Sequence, residues 1–160
     1  MKLPLALFSL LVLVLPNLAW AQQKPIPGLG FKLGDDMKTV KQVLNISYDP
    51  EPMAPSPQIG NLPDPNKGKT QYNLRTKGIW VFFSPMGKVE TIRLEMPFIK
   101  PVGGVAVGDS LGKVLSTHGT PFKPPRQFLK ATVYLYALDD QAYVSYHVED
   151  DEVQIIFIRR

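Results

Sequence analysis

Two stretches of this 160-residue chain nearly repeat one another, with a constant offset of 74 between Gly30 and Gly104. Gly30-Phe31-Lys32-Leu33-Gly34-Asp35-Asp36-Met37-Lys38-Thr39-Val40 aligns with Gly104-Val105-Ala106-Val107-Gly108-Asp109-Ser110-Leu111-Gly112-Lys113-Val114. Glycine meets glycine, aspartate meets aspartate, and apolar residues meet apolar residues. An echo of this kind marks one supersecondary unit used twice, and so constrains the fold more than any single motif. In each copy a capping residue (Asp35 or Asp36, then Asp109 or Ser110) opens a helix with apolar residues three and four apart. Met37, Val40 and Leu44 form that stripe in the first copy, and Leu111, Val114 and Leu115 in the second.

Beyond each helix lies a proline-rich loop. The first, residues 49–66, carries Pro50, Pro52, Pro55, Pro57, Pro63 and Pro65, and the shorter second carries Pro121, Pro124 and Pro125. Proline has no amide hydrogen, so helix and central strand are both excluded there. Alternating strands follow at Thr70–Arg75, Gly78–Ser84 and Lys88–Met96, then at Thr132–Leu138, Gln141–Val148 and Glu152–Arg159. Trp80 aligns with Tyr143 at an offset of 63, and Ile92 with Ile156 at 64, as a longer first loop requires. The expected architecture is α+β: two tandem helix-loop-three-strand repeats, residues 22–97 and 98–160, with antiparallel sheets packed on helices.

Alternation then sorts the side chains. Ile79, Val81, Phe83, Ile92, Leu94, Ala142, Val144, Tyr146, Val148, Ile156 and Ile158 turn towards the helices. Trp80, Phe82, Arg93, Tyr143, Ser145, His147 and Phe157 fall on the opposite face, with Asn73, Arg75, Thr91, Glu95, Ile155 and Arg159 around them. An aromatic patch rimmed by arginine is characteristic of protein-protein surfaces. The competing readings are that the two sheets pack these faces together, or that the proline loop covers them.

The N-terminus carries Lys2, an apolar run from Leu5 to Leu15 and Ala19-Trp20-Ala21, the layout of a secretory signal peptide over residues 1–21. The run is shorter than the ~20 apolar residues of a spanning helix, which argues against a membrane anchor. The expected location is therefore the periplasm or the exterior, with no membrane insertion after cleavage. The chain has no cysteine, so stability must come from packing, and thiol catalysis and thiolate metal sites are excluded. A net charge of +4 with interleaved signs gives no track for nucleic acid. Asn45-Ile46-Ser47 fits a glycosylation acceptor, but also a helix end.

Catalytic candidates are few. His118 stands at a helix end, where its charge would suit the helix dipole. Ser145 and His147, two apart on one strand, project side by side, but no nucleophile-elbow motif supports them as a pair. Glu149-Asp150-Asp151-Glu152, with Asp139-Asp140, lacks the calcium-loop ligand ladder and reads as a solvated hairpin tip. The glycines make no phosphate loop. No catalytic residue, metal site or cofactor is expected.

The Leu33-Gly34-Asp35 to Val40 segment, its counterpart Val107-Gly108-Asp109 to Val114, and the helix-ending Gly119-Thr120-Pro121 before a strand meander resemble the β-lactamase-inhibitor-protein superfamily. They are similar in turn to small outer-membrane assembly lipoproteins of the SmpA/OmlA (BamE-like) type. The resemblance spans residues 30–160 and implies a tandem repeat whose sheet surface grips another protein. The expected function is an exported, non-catalytic protein-binding module, an inhibitor or immunity protein that neutralises an envelope-targeting enzyme or effector. The alternative is a structural or assembly factor of the cell envelope, and a third reading is a small hydrolase centred on His147.

Overall fold

The computed structural model describes residues 25–57, 60–139 and 142–160. The expected signal peptide, and Asp140 of the acidic stretch, lie outside the described residues. Among the described residues two short α-helices, α1 (Met37–Val43) and α2 (Leu111–His118), and a single 3-10 turn at Arg75–Lys77 accompany eight strands: β1 (Glu51–Pro52), β2 (Thr70–Leu74), β3 (Ile79–Phe83), β4 (Val89–Glu95), β5 (Arg126–Phe128), β6 (Ala131–Ala137), β7 (Tyr143–Glu149) and β8 (Glu152–Arg159). All eight strands form a single antiparallel sheet in the order β1-β2-β3-β4-β8-β7-β6-β5.

This corrects the expected fold class of two helix-loop-three-strand units with sheets packed on helices. The seam is β4 against β8, pairing Ile92 with Ile158 and Leu94 with Ile156. Both strands are apolar towards the core and would otherwise leave open backbone edges, so joining them satisfies two edges at once. Two strands were also hidden from pattern reading. β1 contains Pro52, tolerated because it is an edge strand, and β5 follows directly on Pro124-Pro125.

The helices are too short to form the second layer themselves. Within α1 and α2 only Val40 and Val114 are buried, although Leu44, the C-terminal cap of α1, is buried as well. Leu115, expected on the inner stripe, is 41% exposed. Extended segments complete the cover: Ile26, Leu29, Phe31 and Leu33 lead into α1, and Phe98, Val102, Val105 and Val107 lead into α2. At about 1.5–3 kcal/mol per fully buried aliphatic or phenyl side chain, these segments outweigh the helices as a source of packing energy.

The repeated Gly-Asp motif has a structural cause. Gly34 N–H donates to Val89 O and Val89 N–H to Asp35 O, both at 2.8 Å. Gly108 and Asp109 hold Val153 through the same two bonds at the same distance. The Asp35 carboxylate accepts from Lys32 N–H at 2.9 Å, and that of Asp109 from Ala106 N–H at 2.8 Å. Asp36 and Ser110 then cap the helices through Thr39 N–H and Lys113 N–H. Gly34 and Gly108, at φ 86° and 92°, take a conformation that side-chain-bearing residues rarely adopt. Each motif thus pins a helix start to the hairpin beside it.

Asn45 closes α1. With φ 53° it occupies the left-handed position after Leu44, while its N–H donates to Gln42 O and that of Ile46 to Lys41 O. This is the two-bond helix stop in which asparagine substitutes for glycine.

Candidate binding face

The sheet face opposite the helices is built from three rows of side chains that cross the seam. Asn73, Trp80, Arg93, Phe157, Ser145 and Leu135 stand in register from β2 to β6. Beside them run Gln71, Phe82, Thr91, Arg159, Tyr143 and Ala137. A third row comprises Glu95, Ile155, His147, Val133 and Arg126. All seven residues expected on the outer face therefore share one face of one sheet. The stacked-sheet reading differs from the structure, since the halves join edge to edge in one sheet, while Lys123 and Pro124 of the second proline loop do line part of this face.

The seven are not equally accessible. Trp80 is only 8% exposed, and the Arg93 guanidinium lies 4.7 Å from its ring centroid. The same guanidinium is 6.0 Å from the Phe157 ring and pairs with Glu95. Trp80 is thus a foundation for Arg93 and not itself a contact surface. Ser145 is 2% exposed. Phe82, Arg93, His147 and Phe157 are half-buried, and Tyr143 is exposed, packed against Phe122 at 5.6 Å between centroids. Asn73 Oδ1 and Arg93 Nε, flanking Trp80, are buried without a hydrogen-bond partner.

On the β5–β8 half this face deepens into a cavity of about 440 Å³. Its floor includes Val133, Leu135, Ser145, His147 and Phe157, and Lys123, Arg126, Phe128 and Arg159 are also among its lining residues. The His147 ring lies 5.0 Å from that of Phe157 and meets Phe128 edge-on at 6.2 Å. Burial foremost, then the positive fields of Arg159 and Arg93, hold its imidazole below the ordinary histidine pKa. Ser145 and His147 make no hydrogen bond with each other, and aromatic rings and arginines surround the imidazole in place of an orienting carboxylate.

The other histidine does structural work on the opposite side. Tyr146 donates its hydroxyl hydrogen to Val102 O at 2.9 Å, so His118 Nε2, also 2.9 Å away, must be the donor to that hydroxyl. His118 stacks on Tyr136 at 4.7 Å, and burial lowers its pKa. The cluster ties the end of α2 to the sheet.

Lys123, Arg126, Phe128, Val133 and Leu135 were not among the residues singled out from the sequence. Val133 and Leu135 were legible from the alternation of 131–137, where Tyr134 and Tyr136 point to the other face. Arg126 and Phe128 needed the recognition of β5.

Among the described residues no helix is long and apolar enough to cross a membrane, and no cluster of three or more His, Asp or Glu side chains is placed to hold a metal ion. No family model matches this chain, and no curated protein matches it. Among solved structures it is similar to a DUF4309 family protein (YjgB) from Bacillus subtilis subsp. subtilis str. 168. The TM-score is 0.49 and the sequence identity 13%, over 83% of this chain and 82% of the other.

Proposed function

We propose that this chain is a non-catalytic protein-binding module that acts outside the cytoplasm, with the open face of its sheet as the contact surface. In the finer reading it is an inhibitor or immunity protein that occupies an envelope-directed enzyme or effector. One observation carries the proposal: Phe82, Arg93, Tyr143, His147 and Phe157 share one face of one unbroken sheet, with Phe157 meeting both Arg93 and His147, while the main hydrophobic cluster lies on the other side. Rigid strands present such a surface with little ordering cost on binding, and aromatic and arginine side chains dominate interface energetics. The non-catalytic part of the proposal draws support from the lack of a hydrogen bond between Ser145 and His147. A nucleophile and its base are ordinarily placed within hydrogen-bond reach of each other.

Site-specific photo-crosslinking in cells of the native host tests the reading. A benzoylphenylalanine at Tyr143 or Phe128 should give a discrete adduct with another protein. The same probe at Leu115, exposed on α2, should not. Adducts from the helix layer alone, or from neither face, would overturn the proposal.

A further inference from the structure

The cavity on the β5–β8 half has a chemistry of its own. Three of its lining residues are cations (Lys123, Arg126 and Arg159) and none is a carboxylate. Ion pairs elsewhere on the molecule are formed by Lys41 with Asp49, Lys69 with Glu90 and Arg93 with Glu95. Lys123, Arg126 and Arg159 join no ion pair among the described residues. Charges of one sign gathered in a concave, partly apolar site raise the local concentration of a counter-ion, and the low-dielectric walls strengthen its binding. The rings of Phe128 and Phe157 and the side chains of Val133 and Leu135 line the same cavity. The volume of about 440 Å³ lies within the range of sites for small organic ligands.

We propose that this cavity binds an amphiphilic anion: a carboxylate- or sulfonate-type group set against Arg126, Arg159 and Lys123, carried on an aromatic or branched apolar body that packs on Phe128, Phe157, Val133 and Leu135. The inference rests on the open sheet face being a binding surface, and specifies what part of it recognises. His147, held neutral by burial beside Arg159, completes the apolar wall and leaves the arginines as the anion's partners. The same chemistry has two sources, a free amphiphile or an acidic residue beside an apolar one on a partner protein.

The test uses the purified protein and no partner, so its failure is separable from a failure of photo-crosslinking. The probes are 8-anilinonaphthalene-1-sulfonate and its neutral counterpart N-phenyl-1-naphthylamine, which keeps the rings and lacks the sulfonate. The sulfonate should saturate one site, shift the amide resonances of Ser145, His147 and Phe157, and bind at least tenfold tighter than the neutral amine. Arg126→Gln with Arg159→Gln should weaken it at least tenfold while leaving the melting temperature within a few degrees. Lys32→Gln, in the lead-in segment, should change nothing. Displacement of the probe by dodecanoate assigns a free amphiphile. Displacement by the blocked peptide acetyl-Phe-Glu-Leu-Asp-amide assigns a partner's side chains. Equal affinity for the neutral amine, indifference to the arginine substitutions, or no displacement by either competitor would overturn the proposal.

Discussion

Replacing Trp80 and Tyr143 separately by alanine gives opposite outcomes if the outer face is built as described. The two rings occupy neighbouring rows on the same face, in strands β3 and β7 that lie in different halves of the sheet. Trp80 is 8% exposed, so Trp80→Ala loses a nearly complete indole burial, which costs about 3–5 kcal/mol. It also removes the ring beneath the Arg93 guanidinium, a contact worth about 0.5–1 kcal/mol. The sum is about 3.5–6 kcal/mol. For a domain of this size each kcal/mol lowers the melting temperature by about 3 °C, so the expected fall is about 10–18 °C. Tyr143 is 36% exposed and, among the described residues, its one ring contact is with Phe122, so Tyr143→Ala should cost no more than about 1 kcal/mol. Urea unfolding followed by circular dichroism measures both, since Trp80 cannot serve as a fluorophore in its own absence. A Trp80→Ala protein within about 1 kcal/mol of the parent would refute the enclosed indole. A Tyr143→Ala protein that loses more than about 2.5 kcal/mol would place that ring in the core and remove it from the binding face.

Two further outcomes follow from the histidines and their partners. Tyr146→Phe keeps the buried ring but leaves Val102 O and His118 Nε2–H without their shared hydroxyl, which should cost about 2–4 kcal/mol; calorimetry should show a melting temperature about 6–12 °C lower with the fold intact by circular dichroism. Both histidines are held below their ordinary pKa, so the unfolded chain binds more protons than the native state as pH falls through about 6.5. Their stabilisation is therefore full above that pH and lost below it. Denaturation at pH 7.5 and 5.5 should show lower stability at the acidic value, with a smaller difference in His147→Gln; a gain on acidification would contradict the burial of both rings.

The face assignment was legible because alternation is a local rule. Once Val81, Ile92, Val144 and Ile158 are read as core, Trp80, Arg93, Tyr143 and Phe157 have no choice but to lie opposite. The Gly-Asp echo was legible as well, because its hydrogen bonds to Val89 and Val153 depend on a backbone conformation that glycine supplies. The cavity was not. It assembles Arg126 from β5, Val133 from β6, His147 from β7 and Phe157 from β8. A three-residue edge strand behind two prolines carries too little pattern to be recognised before its partner is known. Trp80 shows the same limit in another form: its direction followed from the strand, but its enclosure, with the Arg93 guanidinium over its ring, was set by tertiary packing.

Composition and local pattern alone determined that this cysteine-free chain must fold by packing alternating strands, and which side chains of each strand go inward. Those properties depend on backbone geometry and residue type within a few positions. Tertiary structure decided that the two halves share one sheet, through the pairing of β4 with β8, and that extended segments more than helices cover its inner face. It also gathered three cations around one hollow. Such features depend on which strand edges meet, and that choice is made by the total apolar burial and edge hydrogen bonding of the whole chain, to which no short window of sequence has access.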